Sequence, residues 1–280
     1  MARLAESSVV IALRDFQWDV ALSEKRRPDL FLSLSGNTDK KLGDIKFSFD
    51  DKFMLFEAKS TDKEIKDEWD RGKRSRKHAY RKTREIIEGI AAGNEKYEDL
   101  FDKSLSAHFF IYHNYLDKKH VLAVEPYMTG IHTRNGFAED PSNAEPGYGP
   151  RTKDQIQDLL AGLGKVSLLG LKDKKTKETL DHVSIEHIYN KEMEIERNTG
   201  LGLPLEPGLW LADFQAYINY LCDGKDEDIE SLIMTASGKM IVFSGKTNNL
   251  KLLVDKFKYI EITNELKNNR KNDFSNGSFG

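Results

Sequence analysis

Residues 43–59 read Gly43-Asp44-Ile45-Lys46-Phe47-Ser48-Phe49-Asp50-Asp51-Lys52-Phe53-Met54-Leu55-Phe56-Glu57-Ala58-Lys59. Ile45, Phe47 and Phe49 alternate with Asp44, Lys46 and Ser48. That is the period of a strand, whose successive side chains point to opposite faces. Asp50-Asp51 supplies a tight turn, and Phe53-Met54-Leu55-Phe56 forms a second, more apolar strand that closes on Glu57-Ala58-Lys59. Two strands joined by so short a turn make a hairpin. Parity places Glu57 and Lys59 on one face and Met54, Phe56 and Ala58 on the other. An acid and a base ending an apolar strand need a polar destination, and Asp44 on the facing strand can approach Glu57.

Upstream of the hairpin, Val9, Val10, Leu13, Phe16, Gln17 and Val20 follow helical spacing within residues 2–23. Leu30-Phe31-Leu32 is a short strand that ends at the turn Ser35-Gly36-Asn37. Downstream, Ser60-Thr61-Asp62 can cap a long helical segment reaching about Ala92, with Gly72 as a kink or break and Gly93-Asn94 as its stop. Apolar strands follow from His108 to Tyr115 and from His120 to Tyr127. The order is helix, three strands, helix, two strands, which predicts an α/β fold with a mixed central sheet flanked by helices.

Two carboxylates at close range repel each other unless a cation lies between them. Oxygen ligands suit Mg²⁺, which takes one or two protein carboxylates and completes its shell with water and substrate phosphate. Lys59 beside such a pair could orient an attacking water or neutralise charge on a scissile phosphate.

The pattern Asp44, twelve residues, Glu57-Ala58-Lys59 resembles that of the PD-(D/E)XK nuclease superfamily, and the element order over residues 1–127 is similar to its restriction-endonuclease-like core. The resemblance implies that Asp44 and Glu57 are the acidic metal ligands, that the Ala58 carbonyl completes the metal shell, and that Lys59 is the catalytic lysine. It implies Mg²⁺ as cofactor, with Mn²⁺ able to substitute, and DNA as substrate. Many members carry a further glutamate on the first helix, and Glu6 fits that place, on the stripe of Val9, Val10 and Leu13. The macrodipole at a helix N-terminus accounts for Glu6 nearly as well. The sequence departs from the family in placing Gly43, not proline, before Asp44. A literal Pro-Asp stands at Pro28-Asp29, so Asp29 is the competing ligand. Read without the family, Glu57 and Lys59 could be a surface pair worth about 0–1 kcal/mol.

Between Arg71 and Arg84 stand Arg71, Lys73, Arg74, Arg76, Lys77, Arg81, Lys82 and Arg84 with no acid among them. Like charges so close destabilise a helix, and a phosphate backbone would relieve that, so these residues are expected to contact DNA. The plainer use is a solvated face balanced by Glu64, Asp67, Glu68, Asp70 and Glu85.

The bulk composition bounds the rest. The chain has 280 residues, of which 39% are hydrophobic and 32% charged, with a net charge of -3. A real core is affordable, wholesale disorder is excluded, and nucleic acid could bind only through a local patch. The single cysteine, Cys222, excludes a disulfide framework and a cysteine-rich zinc site, and is expected to be a buried thiol. His182 and His187 lack a third ligand. Gly200, Gly202 and Gly208 lack the Lys-Ser or Lys-Thr of a nucleotide-binding loop, so any ATPase or sensing function belongs to a partner subunit. No apolar run is long enough for a membrane, and Met1-Ala2-Arg3-Leu4-Ala5-Glu6 does not begin a signal peptide, so a cytoplasmic location is expected.

Residues 1–129 are thus expected to be the nuclease-like core and 130–151, rich in glycine and proline, a surface loop or linker. Residues 152–280 would form a C-terminal α+β extension for specificity, homo-oligomerisation or docking into a heteromeric complex. Within it, 152–163 and 249–258 read as helical, 165–171 as a strand, 208–222 as a helix with Trp210, Phe214 and Tyr217, and 230–245 as a hairpin around Ser237-Gly238-Lys239. The tail from Asn264 is expected to fray. By resemblance the setting is restriction or anti-phage defence. The second reading is a non-catalytic or latent nuclease-like subunit that binds DNA or a partner protein.

Overall fold

A computed structural model of the chain describes residues 5–25, 31–33, 45–49, 52–69, 78–116, 118–134, 136–137, 168–197, 205–234 and 240–247. Residues 138–151 of the loop expected over 130–151, the helices expected over 152–163 and 249–258, and the tail from Asn264 lie outside them.

The quoted hairpin forms as β2 (Ile45–Phe49) and β3 (Lys52–Lys59), antiparallel, with Phe49 opposite Lys52 and Ile45 opposite Phe56. β1 (Phe31–Ser33) adds to the outer edge of β2. On its other side β3 pairs in parallel with β4 (His108–Leu116), which pairs antiparallel with β5 (Lys119–Pro126). Parallel neighbours need a crossover. It contains a 3-10 segment (Asp62–Glu68) and two helices, α2 (His78–Ala91) and α3 (Lys96–Ala107). The helical segment expected to about Ala92, with Gly72 as a kink or break, is among the described residues a 3-10 segment and, from His78, an α-helix, and α3 is an addition.

β3 is buried from Phe53 to Lys59, as a strand covered on both faces must be. Phe53, Leu55 and Glu57 lie on one face, Met54, Phe56 and Ala58 on the other. The register carries the first face across to His108, Phe110, Tyr112 and Glu125.

Helix α1 (Glu6–Ser23) lies across β3, β4 and β5 with Val9, Leu13, Gln17 and Ala21 buried. Residues 127–133, read from sequence as strand end and loop, are a short helix, α4 (Tyr127–Thr133), whose Tyr127 ring stacks 4.5 Å from Phe110 and 4.0 Å from His108.

Later residues add strands to the same sheet. β6 (Leu168–Asp173), β7 (Thr179–Leu180) and β9 (Met193–Arg197) form a separate three-stranded sheet. Between them in sequence, β8 (Val183–Ser184) pairs with β5 and leads into α5 (Ile185–Tyr189). β10 (Leu209–Trp210) pairs with Phe53 and Lys52, the part of β3 that β4 does not reach. It feeds α6 (Leu211–Leu221), whose Phe214 stacks 5.6 Å from Phe53 and whose Tyr217 hydroxyl lies 2.9 Å from His108 Nδ1. Cys222 is buried at the end of α6, as expected. β11 (Asp228–Met234) and β12 (Met240–Lys246) form the expected hairpin. Among the described residues no helix is long and apolar enough to cross a membrane.

Candidate active site

Glu57 and Lys59 close β3 on the face covered by α4 and α6, and both are sealed from solvent at 1% and 2% exposure. A solvated surface pair is therefore ruled out. Burying either charge alone costs several kcal/mol, so each must find a partner. Lys59 donates to Glu57 across 2.9 Å. Its Nζ lies 2.7 Å from Glu68 Oε1 and 4.0 Å from Glu6 Oε1. One ammonium thus serves three carboxylates brought by three elements: the strand itself, the 3-10 segment and the start of α1.

The 3-10 segment explains the inward aim of Glu68. Side chains three apart eclipse in this helix, so Glu68 falls behind Ile65, and both are fully buried. The solvated role expected for Glu68 is corrected by that placement. Its second oxygen accepts a hydrogen bond of 2.7 Å from Tyr127. Burial, and then the Glu68 charge, hold the Tyr127 phenol far above its ordinary range, so it stays a donor. The period-three pairing of Ile65 with Glu68 was the available signal, hidden by the expectation of an α-helix. Glu6 is half exposed at the mouth of this cluster.

Asp44, and its competitor Asp29, lie outside the described residues. The last described rung of the hairpin pairs Ile45, which follows Asp44, with Phe56, which precedes Glu57. Among the described residues no group of three His, Cys, Asp or Glu side chains is arranged to hold a metal ion.

A second buried charge lies on the same face. Glu125 ends the apolar run Val121-Leu122-Ala123-Val124 as Glu57 ends its own, and that shared pattern could have found it. It is fully buried and paired with Arg134, 3.0 Å away. Burial pushes its carboxyl up to about 7 against the pull of Arg134. Tyr112, opposite Lys59 in the β3–β4 register, is pushed up by burial and then by the Glu125 charge.

The basic run is described only in part, since Arg71, Lys73, Arg74, Arg76 and Lys77 lie outside the described residues. Lys82 is 2.6 Å from Asp223 and 2.9 Å from Glu85, with its ammonium 4.7 Å from the Tyr220 ring centroid. Arg84 pairs with Glu88 at 2.8 Å, and Arg81 meets His78 at 2.9 Å. Lys82 and Arg84 are buried against their own chain.

His182 meets Asn114, and His187 meets Glu192. Both line a cleft of about 600 Å³ between the β4–β5 hairpin and β7. Searches of protein-family models, of curated proteins and of solved structures returned no match to this chain.

Proposed function

We propose that the chain is a metal-dependent nuclease that hydrolyses phosphodiester bonds of DNA, of the PD-(D/E)XK kind, working in restriction or anti-phage defence. One observation carries the reading: Glu57 and Lys59 are buried, partnered and adjacent at the carboxyl end of β3, beside the rung that leads to Asp44. The order α1, β1–β2–β3, crossover helices, β4 supports the restriction-endonuclease-like core. The crevice at the carboxyl ends of parallel strands is also where open α/β sheets commonly bind ligands.

A magnesium ion needs only one or two protein carboxylates. Glu57, Asp44 and the Ala58 carbonyl would hold it, and Mn²⁺ would substitute. When bound, it supplies a nucleophilic water at neutral pH and neutralises charge on the phosphate. Lys59 would present its ammonium to that phosphate, its rotamer fixed by Glu57 and Glu68. The burial of the pair excludes bulk water, which strengthens each of these interactions. Glu6, at the exposed rim, would orient water entering the site.

The test is incubation of purified protein with plasmid and linear DNA in Mg²⁺, Mn²⁺ or EDTA, beside Glu57→Ala and Lys59→Ala. Metal-dependent cleavage should appear in the wild type and fall by at least about 100-fold in either variant. Cleavage that survives both changes would sink the assignment.

A second reading is a latent nuclease-like subunit that binds DNA or, in a heteromeric complex, a partner protein that senses or hydrolyses ATP. The engagement of Lys82 and Arg84 with Asp223 and Glu88 favours it, because both cations are spent within the chain. Its mark would be DNA or partner binding that survives Glu57→Ala and Lys59→Ala with no cleavage by any form.

A further inference from the structure

We infer that Glu68, backed by Tyr127, is a positioning residue that fixes the Lys59 ammonium for its work at the Glu57 site. The inference rests on the nuclease reading for its purpose, although the geometry stands without it.

A lysine has three donors on a flexible four-carbon stem, and its head takes no fixed direction unless partners impose one. Lys59 has two carboxylates in close contact, Glu57 at 2.9 Å and Glu68 at 2.7 Å. They differ in what is asked of them. Glu57 is the proposed metal ligand, so its oxygens are shared once a cation binds. Glu68 belongs to the 3-10 segment and reaches Lys59 from outside the β2–β3 hairpin. Its second oxygen is fixed by Tyr127, and Tyr127 is clamped between His108 and Phe110. The chain Phe110–Tyr127–Glu68–Lys59 thus runs from the packed core to the ammonium without depending on Glu57. When a metal and a phosphate draw on Glu57, Glu68 keeps Lys59 buried and aimed.

Position is a catalytic quantity, since small displacements of a reacting group cost orders of magnitude in rate. Glu68→Gln keeps the size of the side chain and removes its charge. The expected result is a fall of about 10-fold or more in kcat with KM and the affinity for uncleaved DNA within about twofold. Glu68→Asp should recover part of that loss. Tyr127→Phe, which removes only the hydroxyl, should give a smaller fall of the same kind.

A readout independent of cleavage accompanies these rates. In the full chain labelled with ¹⁵N-lysine, a buried, doubly paired ammonium should give a slowly exchanging signal that disappears in Lys59→Met. That signal should be lost or strongly shifted in Glu68→Gln and perturbed in Tyr127→Phe. Where wild-type protein cleaves DNA, an unchanged kcat in folded Glu68→Gln overturns the inference. Where it does not cleave, the nuclease reading falls and the ammonium signal alone decides. Persistence of the wild-type signal in Glu68→Gln overturns the positioning role, and its loss supports it. If Glu68→Gln fails to fold, the same comparisons are made with Tyr127→Phe, and wild-type values there overturn it.

Discussion

Glu125 is a carboxylate placed where its own charge is costly. Its Cδ and Oε1 would stand 3.0 Å from any Cβ built at Gly130, so the glycine lets the backbone of α4 close over it. Arg134 offsets part of the burial, and the carboxyl still rises from its ordinary range to about 7. The folded chain therefore holds this proton more tightly than the unfolded chain does. The associated stability is fully present below the ordinary carboxyl range and is lost as pH rises through about 7. The size is on the order of 3 kcal/mol at most. Urea unfolding at pH 5.5, 7 and 8.5 should show stability falling across that window. Glu125→Gln, which mimics the protonated form, should flatten the slope, and an equal slope in the variant would remove Glu125 as its source.

At the scale of elements, the hairpin β2–β3 was legible because two turn residues and an alternating partner leave little freedom of register. β4, β5, α1, α6 and the β11–β12 hairpin were legible for similar reasons of period and turn spacing. α3 was not. In Lys96–Ala107 the strong apolar positions are few, and the buried surface includes Ser104, Ser106 and Ala107, residues that carry almost no hydrophobic signal. α4 was hidden because Gly130 resembles the start of a glycine-rich loop, whereas packing on Phe110 and Glu125 requires it. Of the site, Glu57 and Lys59 could be read from sequence, while Glu68 needed the knowledge that its segment winds with three residues per turn.

The pairing of α2 with α6 makes a prediction at this same scale. Lys82 bridges Asp223 and Glu85, and Tyr220 donates to the Lys82 carbonyl. Lys82→Met should lower stability by about 1 kcal/mol by leaving half-exposed Asp223 with only the more distant His78 ring as an ion-pair partner among the described residues. DNA affinity, where it is measurable, should change less than twofold. A loss of tenfold, with a shallower salt dependence, would show that this lysine reaches phosphate after all.

Taken whole, the molecule does not confine its central sheet to its first half. β8 covers β5, β10 completes β3, and Phe214 and Tyr217 close over Phe53 and His108. Fully burying an aromatic or aliphatic side chain contributes about 1.5–3 kcal/mol. Losing α6 therefore removes an amount comparable with the whole stability of an ordinary domain. A chain ending at residue 151 should show no cooperative urea transition by circular dichroism, where the full chain shows one. A sharp transition in the shortened chain would mean that residues 5–134 stand alone.

β10 also sets an order of events during synthesis. Lys52 and its ion-pair partner Glu206 are 154 positions apart, and Leu209 and Trp210 come later still. At ribosomal speeds of about 5–20 residues per second, the first half of β3 waits roughly eight to thirty seconds for its neighbour. Through that interval its backbone amides and carbonyls are an open edge, able to recruit a strand from any adjacent nascent chain. Crowded translation of one message by many ribosomes should thus be the condition under which this protein misassembles, and slowing initiation the simplest way to recover it.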